Sequence, residues 1–215
     1  MSNKLFVVAL VTVMGLATAV GSFALAQPAS DSKPSEQPEF QLPPGWTQAD
    51  LQAMMEAGTP GKEHEFLAKS VGKWDGKTIM HMSPGGEPVE GECTVTVSPM
   101  LDGRFTKTEI TGDIPGMGPY HGFGISGYDK VSGEFVSTWI DNHGTGLMNG
   151  VGELSADQKT LTWEFGYNCP VTKKLAKMRE VVTFAGPDTQ VLEMSGADPK
   201  SGEVYQMMRI ELTRK

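Results

Sequence analysis

The chain is poor in the residues from which most metal and redox centres are built. It has two cysteines, Cys93 and Cys169, and four histidines, none of them after His143. No Cys-x-x-Cys, His-Glu-x-x-His, Gly-x-Ser-x-Gly or phosphate-binding loop occurs in it. The usual sequence marks of zinc, zincin, serine hydrolase and nucleotide chemistry are therefore missing. Basic residues are also scarce. Lys and Arg total 18 against 26 acids, for a net charge of −8, and no long basic run interrupts the balance. A chain of this charge is a poor partner for nucleic acid or an anionic lipid surface. After residue 26 no apolar run is long enough to span a bilayer as a helix.

What is present divides the chain into four stretches. In residues 1–26, Lys4 is the only charge, an apolar run begins at Leu5, and the run ends in Ala24-Leu25-Ala26. This pattern predicts a secretory signal peptide cleaved after Ala26, and hence a periplasmic or secreted protein with no stable transmembrane span after processing. The competing reading is an uncleaved anchor, since the charge-free run is nearly long enough to cross a membrane. Residues 27–46, which open "QPASDSKPSEQP", are rich in Pro, Ser and Gln and have little to bury, which predicts a disordered linker.

Residues 47–73 read as two short helices. Thr47 with Asp50 makes a capping pair, Gly58 offers a stop, and Leu51, Met54 and Met55 form a small apolar stripe. The second helix opens at Pro60 and presents Phe66, Leu67 and Val71 as its buried face. Its His64 reads as a solvated or capping residue in preference to a ligand.

Residues 74–215 change texture. Ten strand-like segments fall near 74–82, 89–98, 103–112, 120–128, 134–142, 146–154, 159–168, 176–184, 189–195 and 203–214. The links are rich in Gly, Asp, Asn and Pro, and most are short, so successive strands pair as an antiparallel meander. Ten such strands without intervening helices are expected to close on themselves, removing exposed edges. The expected fold is an all-β, up-and-down barrel with the 47–73 helices as a plug at one end. Alternation is clearest in "TLTWEFGYNC", where Leu161, Trp163, Phe165, Tyr167 and Cys169 share a face. The inward phases of the third, fourth and ninth strands are ambiguous.

"VGKW" at 71–74 resembles the Gly-x-Trp signature of lipocalins. That resemblance implies that Trp74 plugs the closed end of the barrel and stacks with a basic residue of the last strand. Strand parity delivers Arg214 to the same end. More specifically, "TPGKEHEFLAKSVGKW", "LDGRF", "GFGISGYDKVSGEFVSTWIDNHGTG", "REVVTF" and "RIELTRK" together resemble the bacterial domain-of-unknown-function 1579 family (DUF1579). The likeness runs over residues 47–215. It implies a calycin-type, lipocalin-like barrel with an interior cavity, and it brings no established activity.

The stretch "FVSTWIDNHGTG" places Phe135, Ser137, Trp139 and Asp141 on one face of the fifth strand, which ends at the open mouth. Asp141 is then either a polar anchor for a ligand or a strand terminator bonded to the following turn. As a ligand anchor it would call for a partner among Arg104, Arg179 and Arg209, since a lone buried carboxylate is costly. His121 and His143 approach the same rim, where they are weak candidates for a metal or for acid–base work with Asp141. His81 is expected to be exposed. Cys93 and Cys169 should both face inward near the mouth, as a disulfide, as two free thiols, or with a metal; the disulfide fails if their strands lie far apart around the rim. No cofactor is expected. Ten-stranded barrels of the nitrobindin type bind haem through a late His, which this chain lacks. "GFGISG" at 122–127 lies in a strand with no helix after it, so it is no dinucleotide loop.

The expected function is binding of a small, largely apolar molecule or lipid in the barrel interior. Trp139, Trp163, Phe165 and Tyr167 would supply contact area, and Asp141 and Glu180 would supply orientation. The alternatives are an enzyme using Asp141 with His121 or His143, and a ligand-free structural barrel of the cell envelope.

Overall fold

The computed structural model describes residues 41–215. The expected signal peptide and all but the end of the expected linker lie outside the described residues. Two helices come first, α1 over Gln48–Gly58 and α2 over Lys62–Ala68. Ten strands follow: β1 (Gly72–Met80), β2 (Val89–Met100), β3 (Phe105–Ile114), β4 (Gly118–Asp129) and β5 (Glu134–Asp141), then β6 (Met148–Leu154), β7 (Thr160–Asn168), β8 (Leu175–Gly186), β9 (Thr189–Ala197) and β10 (Val204–Arg214). They match the expected segments one for one, with no end displaced by more than two residues.

Each strand pairs antiparallel with its neighbours in sequence, and β1 pairs with β10 from Trp74↔Arg214 to Met80↔Met208, so the sheet is a closed barrel. Closure leaves no strand edge unpaired. The inward faces carry two apolar clusters. One gathers Phe135, Leu161, Trp163, Phe165 and Met178 with Phe66 and Leu67 of α2. The other gathers Trp74, Val95, Val97, Ile210 and Leu212. The phases left ambiguous by the sequence are settled by these walls. Thr106, Thr108 and Ile110 of β3, Tyr120, Gly124 and Ser126 of β4, and Gln190, Leu192 and Met194 of β9 all border the interior.

The helices differ in how they are held. α2 sets Phe66 edge-on against Phe135 and Phe184, with ring centroids 6.2 and 4.8 Å apart. Its His64 is buried rather than solvated: Nδ1 accepts the Gly61 N–H at 3.1 Å and the ring meets Tyr128 edge-on. α1 has the expected Thr47–Asp50 capping box but buries none of its residues. Its expected apolar stripe finds no core, and Met54 and Met55 are exposed. Cations hold its last turn instead. Lys130 Nζ donates to the carbonyls of Glu56 and Thr59, and Arg104 Nε donates to Gly58 O. Positive charge on the free carbonyls of a helix end is the favourable pairing.

The junction before β1 is tied by one arginine. Arg214 lies over the Trp74 ring, 4.0 Å from its centroid. It donates to Val71 O at 2.6 Å and to Lys69 O at 2.9 Å, and pairs with Asp188 at 3.1 Å. Gly72 has φ +145°, and a Cβ there would overlap Arg214 Nη1. The Gly of "VGKW" is therefore required twice, by its backbone and by the space the guanidinium takes.

Candidate functional site

The barrel encloses a cavity of about 340 Å³. This lies within the usual size range of small-molecule sites. Its lining is chiefly aliphatic, aromatic and thioether, with Met80, Met148, Met178, Met194 and Met208 as adaptable contributors.

The space exists because aromatic side chains lie flat on glycines of the adjacent strands. Trp139 is paired across from Gly124 of β4. A Cβ at Gly122 or Gly124 would collide with the indole. Phe165 lies over Gly150 of β6, and Trp163 over Gly152, at the registered positions Gly150↔Phe165 and Gly152↔Trp163. Aromatic cover over strand glycine is a known way to stabilise a curved sheet. Here it also keeps large rings against the wall and out of the lumen. "GFGISG" thus has a structural role, and the inward glycines of "MNGVG" match it. Their alternate spacing opposite aromatic strands was visible in the sequence, but it becomes meaningful only with the pairing register.

Of the expected ligand-contact residues, Trp139, Asp141, Trp163, Phe165 and Glu180 line the cavity. Tyr167 does not line it; it packs against the Trp163–Phe165 cluster from the side. Tyr120 of β4 lines the cavity although it was not among the expected residues. Its phenol oxygen accepts the Trp139 Nε1–H at 3.2 Å. Burial, with the nearby charges of Asp141 and Glu180, pushes this phenol up to about 12.

Asp141 lies where both of its expected readings would put it. It borders the cavity, and its Oδ1 accepts the His143 backbone N–H at 2.9 Å, which ties off the strand. The expected arginine partners are elsewhere. Arg104 holds α1, Arg179 faces Glu164, and Arg209 pairs with Glu193 and Glu211. Glu180 lies deep among the apolar lining, between Trp163 of β7 and Met194 of β9 in register. Burial alone pushes its carboxyl up to about 7.

The rim cluster of His121, His143 and Asp141 is not assembled. Tyr120 and Gly124 border the interior, so the intervening odd-numbered positions of β4 point away, and His121 is exposed. His143 is exposed in the turn, its Nε2 3.3 Å from Pro119 O. No group of three metal-ligating side chains occurs among the described residues. His81 is half-buried beyond the end of β1, with Nδ1 3.1 Å from Gly86 O, and not fully exposed as expected.

The two cysteines are free. In the closed order, β2 and β7 lie five strands apart in either direction, so Cys93 and the turn carrying Cys169 stand on opposite walls. That separation forbids the expected disulfide option. Cys93 faces the cavity, and burial, with the nearby Asp75 charge, raises its thiol to about 11, which keeps it an unreactive thiol. Cys169 does not reach the cavity. It is covered by its own turn, where hydrogen bonds from Thr172 hold its thiol below the usual range.

Comparisons with known proteins agree with this architecture. The crystal structure of Rv2717c from M. tuberculosis superposes with a TM-score of 0.55 at 14% identity, covering 73% of this chain and 99% of that one. The S-type phycobiliprotein lyase CPES from Guillardia theta superposes with a TM-score of 0.51 at 13% identity, covering 75% and 96%. At such identities the likeness is one of fold. No curated protein matches the sequence. The family described as "Protein of unknown function (DUF1579)" matches residues 59–214, a span that runs from the end of α1 to the last residue of β10, and the chain belongs to that family.

Proposed function

We propose that the protein is an exported, lipocalin-like binding barrel that holds one small, largely apolar molecule in its interior. The observation that carries this reading is the hollow itself. Ten strands enclose about 340 Å³, and inward glycines on β4 and β6 hold the largest rings flat so that the space stays open. A barrel selected only for stability would fill that volume, since interiors pack to crystal-like density. In this reading Trp139, Trp163 and Phe165 grip the apolar body of the ligand, while Asp141, Glu180 and Tyr120 orient it. α2 serves as the floor, and the Trp74–Arg214 contact locks the floor to the first and last strands. The similarity of fold to a phycobiliprotein lyase supports the reading.

Export rests on the Ala24-Leu25-Ala26 exit and the charge-free run before it. Two measurements on protein purified from the native source test the whole reading. The intact mass should correspond to a chain beginning at Gln27. Native mass spectrometry followed by organic extraction should release a small apolar molecule. A full-length mass would remove the export claim. A ligand-free protein that takes up no apolar probe would favour an empty structural barrel.

A further inference from the structure

Among the described residues the lumen is lined by carboxyl side chains and by no Lys, Arg or His. Glu180 enters from β8, Asp141 from β5, Glu92 from β2 and Asp113 from β3, and Tyr120 adds a phenol from β4. The arginines near these strands pair on the outside. Glu180 is flanked in register by Trp163 and Met194, neither of which can ionise. Among the described residues no hydrogen bond or ion pair reaches its carboxylate, and desolvation is the sole influence on it. The other titratable groups that line the lumen are Tyr120, Asp141, Glu92, Asp113 and Cys93. None of them carries positive charge.

We infer that the cavity selects an apolar molecule whose polar group is a protonated amine, and that it rejects carboxylates and phosphates. The inference rests on the cavity being a binding site, as proposed above. A buried carboxylate without a partner is costly, and a cation delivered with the ligand removes that cost. Trp139 and Tyr120 add ring faces that favour a cation further. An anionic head would face a lumen lined by four acidic side chains with nothing to neutralise it. Because Glu180 must be ionised to pair, amine affinity should rise as pH climbs through about 7, where its burial has placed it.

The experiment uses three probes of one shape: 4-phenylbutylamine, 4-phenyl-1-butanol and 4-phenylbutyrate. Each is titrated into the purified protein at pH 8 and pH 5.5, by calorimetry and by the fluorescence of Trp139 and Trp163. At pH 8 the amine should bind at least about tenfold more tightly than the alcohol, and the butyrate most weakly. The amine's advantage should shrink at pH 5.5. Glu180→Gln should abolish most of it, and Asp141→Asn part of it, while alcohol binding persists and shows that the cavity is intact. Butyrate binding equal to that of the amine, or an amine advantage that survives both substitutions, overturns this inference and leaves the binding barrel standing. Failure of all three probes to bind overturns both.

Discussion

Glu180 is the residue whose chemistry most depends on its surroundings. On an exposed strand it would be an ordinary carboxylate; between Trp163 and Met194 its pKa rises to about 7. The folded state therefore holds its proton more tightly than the unfolded chain does. The contribution of Glu180 to the stability of the unliganded protein is fullest below the unfolded value near 4.5 and is lost as pH rises to about 7. The full loss is about 3 kcal/mol. Chemical denaturation of the wild type and Glu180→Gln at pH 4.5, 6 and 8 should show the gap growing with pH in favour of the variant. A parallel pair of curves would contradict the assignment. The inward glycines make a second residue-scale prediction. Gly124→Ala must push the Trp139 indole off the wall, costing about 1–3 kcal/mol. It should also shift the tryptophan emission and weaken probe binding. An unchanged spectrum and midpoint would show that the ring has slack.

At the scale of elements, the barrel depends on two ties between its helical entry and its strands. Arg214 reaches the carbonyls of Lys69 and Val71 and covers Trp74 in one fork. A lysine has one ammonium and cannot reproduce that geometry. Both Arg214→Ala and Arg214→Lys should lower stability, by about 2–3 kcal/mol for the alanine, with the lysine recovering less than half. Urea midpoints measure this directly, and full rescue by lysine would mean that only charge matters. α2 carries the second tie through Phe66. Phe66→Ala should cost about 3–5 kcal/mol, whereas Met54→Ala or Met55→Ala on exposed α1 should change stability by less than about 0.5 kcal/mol. The contrast follows from burial: Phe66 is 2% exposed, and the two methionines are 57% and 60% exposed.

For the whole molecule, closure sets which distant residues can meet. A ten-membered ring puts β2 and β7 at opposite points, so Cys93 and Cys169 remain thiols even where oxidation is favoured. A reductant should leave the melting temperature unchanged, and a thiol count on denatured protein should return two per chain. Loss of titratable thiol or a reductant-sensitive transition would contradict the ring order. The same closure makes the cavity a property of all ten strands together.

The strands themselves were legible because their cues are local. Gly, Asp, Asn and Pro in the turns, and alternation in "TLTWEFGYNC", need no partner to be read, and the short links dictate an antiparallel meander. Trp74 and Arg214 could be paired in advance because parity in a meander is arithmetic: odd strands begin where even ones end. The remaining features lay in register and in the choice of face. Whether Tyr120 or His121 looks inward is a one-residue question that β4, rich in glycine, does not answer alone. Which arginines could reach Asp141 depended on the same phases, and they turned outward. Tyr167 and Cys169 continue the alternation of β7, but neither lines the lumen: Tyr167 stands at the end of the strand and Cys169 in the turn after it. The amino-acid order determined the number of strands, their connection and the aromatic face. Only the closed tertiary structure decided that glycines on one strand would make room for rings on the next. It also left four acidic side chains facing a hollow without a Lys, Arg or His, because a face acquires neighbours only when the sheet has joined itself.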